Sequence, residues 1–336
     1  MSATTEPVRT TSVSIAVCAG LGFTPELHLL SLLFKLHRAM PSFSIMACMR
    51  DEDRVVIYNA RTAEQKTLDH IQPYKCAASH KHIALTSMFN EPLLFERNGE
   101  VLQYISHSKT CEIMIFHPTH PNIVALGGRD QNVFLWNMKH RYPSFLAGFG
   151  QRISAMAFTT DGRLIAASDD KTAKIITFEL NKKFKALSTV NLKGHTGPVT
   201  DIVHLPSSNQ CVTSSDDKTV KVWNSQTGAC LRTLTEHAGP VTALAVSVNE
   251  NIFASGSLDR SVILWASESL KILHRVSLWE SVLSLVFGRG DVFFAGVQNH
   301  GVFSCNSSTG SVGALVIPAR GSIPCLALST LNLLSS

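Results

Sequence analysis

The stretch Cys211-Val212-Thr213-Ser214-Ser215-Asp216-Asp217-Lys218-Thr219-Val220-Lys221-Val222-Trp223-Asn224 is matched one repeat later by Ile252-Phe253-Ala254-Ser255-Gly256-Ser257-Leu258-Asp259-Arg260-Ser261-Val262-Ile263-Leu264-Trp265-Ala266. Each reads as a short strand, a tight turn ending in Asp, and an alternating strand ending in Trp; period-two alternation is the mark of β-structure. The outline recurs at 166–177 (AASDDKTAKIIT) and 125–137 (ALGGRDQNVFLWN). Weaker copies stand at 47–59, 85–96 and 296–306. With the Trp position as a ruler, the marks fall at Tyr58, Phe95, Trp136, Ile176, Trp223, Trp265 and Cys305, spaced by 37, 41, 40, 47, 42 and 40 residues. Seven marks at this spacing fit four-stranded propeller blades, whereas ankyrin or tetratricopeptide units would carry helical periodicity.

The composition leaves room for such a repeat. Of 336 residues, 45% are hydrophobic and 16% charged, which excludes a disordered chain. A net charge of +5 is too weak to declare a nucleic-acid binder. No apolar run reaches the roughly 18 residues of a transmembrane helix. The eight cysteines form no C-x-x-C pair and mostly lie in strand-like stretches, so they read as buried free thiols in a reducing compartment. The uncharged stretch 10–25 is preceded only by Glu6 and Arg9, lacks the basic start of a signal peptide, and reads as a first strand.

Gly194-His195, Asp217 and Trp223-Asn224 form one motif, and Glu236-His237, Asp259 and Trp265-Ala266 a second. His-to-Asp spacing is 22 and His-to-Trp spacing 28 in both; Ser106-His107, Asp130 and Trp136-Asn137 form a third copy, one residue longer. In these motifs the chain resembles the WD-repeat family over about residues 43 to 328. No copy ends in a literal Trp-Asp, and the fourth repeat has Gly148-Phe149 where Gly-His is expected. The resemblance implies an all-β fold: a seven-bladed WD-repeat β-propeller over 43–336, with residues 1–42 as an N-terminal extension or closing segment. It also implies a buried structural network of His107, Asp130, Trp136, Asp170, His195, Ser215, Asp217, Trp223, His237, Ser257, Asp259 and Trp265.

His195, Ser215 and Asp217 are the residue types of a hydrolase triad. His237, Ser257 and Asp259 repeat them at the same spacing, as a structural network would and an active site would not. His117-x-x-His120 lies in a Pro-rich turn with too few ligands for a closed metal site. There is no phosphate-cradling G-x-x-x-x-G-K-[ST] loop. Neither catalysis nor a cofactor is therefore expected. At the ends of the chain, 322–329 resembles an inner strand that could be donated to the blade spanning about 43–70, leaving 25–39 as a spare helix. Alternatively, 29–36 is itself the inner strand of the first blade.

The expected function is a non-enzymatic scaffold or adaptor in a multiprotein complex, cytoplasmic or else nuclear. The alternatives are a subunit of an RNA-processing or ribosome-assembly particle and a binder of anionic membranes or coats. Two surfaces are candidates. The resemblance points to a top face whose exposed residues would be Asp51, Glu112, Arg129, Arg152, Asp169 and Asp216. On the opposite face, the turns of the first four blades carry Arg61, Arg97, Lys139, Arg141, Lys182, Lys183 and Lys185, a basic arc that the later turns lack. The 47-residue interval is expected to make the fourth basic turn protrude.

Overall fold

The computed structural model describes residues 16–18, 43–49, 54–59, 65–68, 73–78, 82–87, 93–96, 101–104, 111–120, 122–139, 143–180, 184–288, 290–317 and 329–330. These carry seven sheets in chain order and one short 3-10 turn, Pro206–Ser208. The first sheet holds β1 (Ala16–Cys18), β2 (Phe43–Met49), β3 (Arg54–Asn59) and β4 (Gln65–Leu68). The second holds β5 (Pro73–Ala78), β6 (His82–Ser87), β7 (Leu93–Glu96) and β8 (Val101–Tyr104). The third holds β9 (Cys111–Phe116), β10 (Ile123–Gly128), β11 (Asn132–Asn137) and β12 (Ser144–Gly148). The fourth holds β13 (Ile153–Phe158), β14 (Leu164–Ser168), β15 (Thr172–Glu179) and β16 (Lys185–Lys193). The fifth holds β17 (Val199–Leu205), β18 (Gln210–Ser215), β19 (Val220–Asn224) and β20 (Cys230–Leu234). The sixth holds β21 (Val241–Val246), β22 (Ile252–Ser257), β23 (Ser261–Ala266) and β24 (Ile272–Ser277). The seventh holds β25 (Val282–Phe287), β26 (Val292–Val297), β27 (Gly301–Asn306) and β28 (Val312–Ile317). The fold is all-β and of propeller type.

All seven ruler residues fall on the third strand of a sheet, in one register. Tyr58 stands opposite Ile45, Phe95 opposite Ile83, and Trp136 opposite Val124. Ile176 stands opposite Leu164, Trp223 opposite Cys211, Trp265 opposite Phe253, and Cys305 opposite Phe293. The chain ends meet at β2. β1 runs parallel to it, and β29 (Ser329–Thr330) pairs antiparallel with Phe43 and Ser44. The apolar stretch at the N-terminus thus supplies a strand, while 25–39 and 29–36 lie outside the described residues.

Among the described residues no sheet has a core of its own. The described clusters straddle neighbours: Ile123 and Val133 of the third sheet with Ile153 and Leu164 of the fourth, and Ala254 and Leu264 of the sixth with Leu285 and Phe293 of the seventh. The second strands of the third to seventh sheets are therefore buried on both faces, as β10 and β14 are throughout, while outer strands such as β20 are mostly exposed. Each Val or Leu so enclosed contributes about 1.5–3 kcal/mol. Gly256 shows how close the sheets come: a Cβ there would lie 2.7 Å from Val282 Cγ1 and 3.1 Å from Leu285 Cδ1.

Hydroxyls on the inner strands clamp one sheet to the next. Thr200 Oγ1 donates to the Val241 carbonyl and Thr242 Oγ1 to the Val282 carbonyl, both at 2.6 Å, and Ser154 Oγ donates to the Val199 carbonyl. In the third sheet the equivalent second position of the inner strand is Glu112, which reaches Arg152 of the fourth at 3.3 Å.

Much of the 47-residue interval lies in long strands, and the basic turn 181–183 itself lies outside the described residues. β15 and β16 have 8 and 9 residues, against 4 to 6 in the third and outer strands of the other sheets. Phe184, beside the turn, is buried in one cluster with Leu146 and Ile123 of the third sheet. Its ring packs 6.4 Å from that of Phe178. The extra length is mostly strand, with an aromatic folded against the neighbouring sheet, because an apolar side chain so placed would otherwise stand in water.

If the clamps hold neighbouring sheets together, Thr200→Val and Thr242→Val should each cost about 1 kcal/mol in urea denaturation, since each leaves a buried carbonyl without its donor. Unchanged midpoints in both variants would show the clamps to be inert.

Candidate functional site

In the fourth to seventh sheets the turn from second to third strand and the loop before the inner strand meet at one edge. In the fifth sheet, His195 Nδ1 contacts Asp217 Oδ2 at 2.8 Å, and His195 Nε2 contacts Thr213 Oγ1 at 2.7 Å. Trp223 Nε1 donates to the same Thr213 oxygen at 2.8 Å. The sixth sheet repeats this with His237 to Asp259 at 2.9 Å, His237 to Ser255 at 2.8 Å and Trp265 to Ser255 at 2.9 Å. Each carboxylate also accepts from the backbone: Asp217 from Thr196 and Thr219, Asp259 from Ala238 and Ser261, all at 2.9 to 3.0 Å.

The hydroxyl linking histidine to tryptophan is thus Thr213 or Ser255, and not Ser215 or Ser257. Those serines sit two residues on and close the turn. Ser215 Oγ donates to the Gly197 carbonyl and accepts from Asp217 N, both at 3.1 Å, and Ser257 does the same with Gly239 and Asp259. Period-two alternation puts Thr213 and Ser215 on one face, so the sequence held the signal: in both copies the linking hydroxyl is 18 residues after His and 10 before Trp. Gly197 is required by proximity, since a Cβ there would lie 2.9 Å from Asp217 N.

Other sheets replace this chain piecewise. In the fourth, Asp170 keeps its turn contacts, from Gly150 N at 2.7 Å and Thr172 N at 2.9 Å. Phe149, Ala166 and Ile176 occupy the places of His, hydroxyl and Trp, and the Lys174 ammonium lies 4.4 Å from the centre of the Phe149 ring. In the seventh, Leu278, Ala295 and Cys305 take the three places, all buried in one apolar cluster. In the third, Trp136 is buried and Asp130 accepts from Asn132 N at 3.4 Å, while His107 lies outside the described residues.

Burial alone would raise the Asp217 carboxyl; hydrogen bonds from Thr219, Thr196 and His195 reverse this and hold it well below the carboxylate range. Asp259 is likewise opposed by burial but drawn down to about 2 by Ser261, His237 and Ala238. Burial keeps His195 and His237 below the ordinary imidazole value, against the pull of their aspartates. A nucleophile needs a free base and an approach. Here every polar atom of the triad-like set is engaged, and the His and Asp side chains are nearly sealed from solvent.

The expected top-face residues divide. Glu112 is not exposed: its side chain is 4% accessible, and its carboxylate is held by Arg129 at 2.6 Å and Arg152 at 3.3 Å. It occupies the seam where other sheets place a clamping hydroxyl. Arg152 also pairs with Asp169 at 2.8 Å, so the ion pairs run across two sheets. Asp216 is exposed on the fifth sheet; burial of its carboxyl, Asp169 and Asp217 push its pKa up. Asp51 lies outside the described residues. Of the basic arc, Lys139 and Lys185 are exposed, and Arg61, Arg97, Arg141, Lys182 and Lys183 lie outside the described residues. His117 is buried in its turn, where its Nδ1 accepts from Thr119 N and His120 N at 3.3 Å, and burial lowers it to about 4. Cys111, Cys211 and Cys305 are buried thiols pushed up to about 12, whereas Cys230 is exposed on β20. Among the described residues no group of three His, Cys, Asp or Glu could hold a metal, and no helix is long and apolar enough to cross a membrane.

The family model "WD domain, G-beta repeat" matches residues 143–177, 185–224 and 228–266. Each match takes in the outer strand of one sheet and the inner three of the next. Protein tipD of Dictyostelium discoideum is 31% identical over 134 residues, 39% of this chain and 21% of that protein. Pre-mRNA-splicing factor cwf17 of Schizosaccharomyces pombe is 27% identical over 161 residues, 45% of each chain. Eukaryotic translation initiation factor 3 subunit I of Vanderwaltozyma polyspora is 30% identical over 93 residues, 28% of this chain and 26% of that protein. The chain spans less than half the length of each of these relatives.

Asp217→Ala strands the donors of Thr196, Thr219 and His195 and should cost about 2–3 kcal/mol at pH 7. The depressed carboxyl stabilises fully above about pH 4 and loses that contribution as pH falls toward its folded value. The gap between variant and wild type, measured by urea denaturation, should therefore narrow below pH 4. A gap that widens with acid would contradict this sign.

Proposed function

We propose that this chain, a member of the WD-repeat family, closes into a seven-bladed ring and serves as a non-enzymatic interaction platform within a multiprotein complex. One observation carries the reading. The residues that look like chemistry are consumed by internal hydrogen bonds, while the turns beside them present Arg129, Arg152, Asp169 and Asp216 outward on three successive sheets. Rigid sheets with variable turns suit recognition of peptides or domains. The mixed charge argues for protein rather than a uniform polyanion. Similarity to a splicing factor over 45% of each chain favours, as a second reading, a place in an RNA-processing particle.

Reversing both Arg129 and Arg152 would strand the buried Glu112 carboxylate, a costly change in its own right. Arg129→Gln with Asp216→Lys avoids this, because Arg152 still holds Glu112. Affinity purification of this variant should recover fewer of the wild type's partners, at an unchanged melting temperature. Recovery should also survive nuclease treatment. Full recovery by the variant would remove this face from the function, and loss of all partners with nuclease would favour the RNA-processing reading.

A further inference from the structure

At the position just after the second strand, successive sheets carry Arg129, Asp169, Asp216, Leu258 and Gln298. Three residues before the inner strand they carry Gly150, Thr196, Ala238 and Trp279. Both series break at the same place. Leu258 and Trp279 are 39% and 55% exposed, where the preceding sheets place charged and small residues. The two turns are joined: Leu278 N donates to the Arg260 carbonyl at 2.8 Å, and Ser281 Oγ to the Leu258 carbonyl at 3.4 Å. The Trp279 ring does not hang free. It packs 4.9 Å from the Phe303 ring of the seventh sheet, which fixes its orientation while leaving much of its surface to water.

A large aromatic held on a rigid support, beside an exposed leucine, is the composition of an interface centre and not of a solvated turn. The charges around it select what it takes. Arg260 follows Asp259 in the same turn, and Glu280 follows Trp279. On the fifth sheet, Asp216 holds the position equivalent to Leu258. Its neighbour Asp169 is paired with Arg152 at 2.8 Å and its neighbour Asp217 is bonded to His195, so the Arg152 guanidinium is engaged by Asp169 and reaches Asp216 only as a charge through space. An incoming ammonium or guanidinium there gains Coulomb energy without breaking an existing pair.

We propose that Leu258 and Trp279 seat a bulky apolar side chain of a partner peptide, with a lysine or arginine of the same peptide pairing with Asp216. This rests on the platform reading and names the kind of segment that the face takes. Burial, with the carboxylates of Asp169 and Asp217, pushes the Asp216 carboxyl up against the pull of Arg152, so a further cation at this turn relieves the crowding of negative charge.

The probe is a set of fluorescein-labelled nine-residue peptides with a central Phe, flanked two and three residues away by Lys, Glu or Ser. Fluorescence polarisation against the full chain should rank Lys above Ser above Glu. Leu258→Ser with Trp279→Ala should weaken the Lys peptide by about tenfold or more, at an unchanged melting temperature. Asp216→Lys should invert the order of the Lys and Glu peptides while keeping the dependence on Phe. Binding that ignores the flanking charge, no binding of the Lys peptide at millimolar concentration, or equal affinity in wild type and variants would overturn the proposal. Concentration-dependent self-association that disappears with Trp279→Ala would also overturn it, by assigning the patch to a second copy. If the peptides fail but native partners are lost with Arg129→Gln and Asp216→Lys, the platform reading stands without this site. If neither surface matters to native partners, both fall.

Discussion

The constraint that governs this molecule is that no sheet can bury its own faces. A four-stranded sheet offers two apolar surfaces, and each is covered only by a neighbouring sheet. Second strands such as β14 are consequently buried along their whole length, and Gly256 of a second strand stands where two sheets approach closely. The clamps from Ser154, Thr200 and Thr242 act on the same seams and answer the same need. Carbonyls brought together by packing lose water and must find donors, and the neighbouring sheet supplies them.

Within that frame, the polar chain at the sheet edge is a choice that the fold makes sheet by sheet. The fifth and sixth sheets use His, hydroxyl, Asp and Trp in full. The seventh replaces the chain by Leu278, Ala295 and Cys305, and the fourth keeps only the Asp turn. This is what desolvation predicts. A buried network is favourable when every member is satisfied, an apolar substitute is nearly neutral, and a half-made network is worse than either. Phe149 and Ala166 occur together in the fourth sheet because a lone histidine or a lone hydroxyl there would be stranded.

The repeat was legible because one register is imposed seven times. Even Cys305 and Ile176, which share nothing chemically with Trp, fall at the ruler position, since what recurs is a volume opposite a fixed residue of the second strand. The membership of the polar chain was less legible. Ser215 stands beside Asp217 and has the composition of a triad, but the linking oxygen comes from Thr213, whose role depends on strand alternation and not on proximity in sequence. Glu112 misled for a related reason. A carboxylate at the start of a strand reads as exposed until a guanidinium from the next sheet is known to cover it, and that contact joins residues 40 apart. The added length of the fourth hairpin was visible as an interval, but its destination was not, because Phe184 is sheltered by the third sheet.

The offset between repeat and sheet carries the argument to function. Each matched repeat supplies the outer strand of one sheet and the inner three of the next, so neighbouring units interlock and no sheet can be altered without engaging two repeats. Strand positions are thereby fixed by packing from both sides. The turns escape this double constraint: Arg129, Asp169, Asp216, Leu258 and Gln298 occupy one geometrical position with side chains that are basic, acidic, apolar or neutral polar. A frame that holds its strands to one pattern while leaving one turn position free from sheet to sheet can vary what it recognises without varying how it folds. The break from charged to apolar character at Leu258 and Trp279 is therefore a difference of surface between sheets whose interiors follow a single plan.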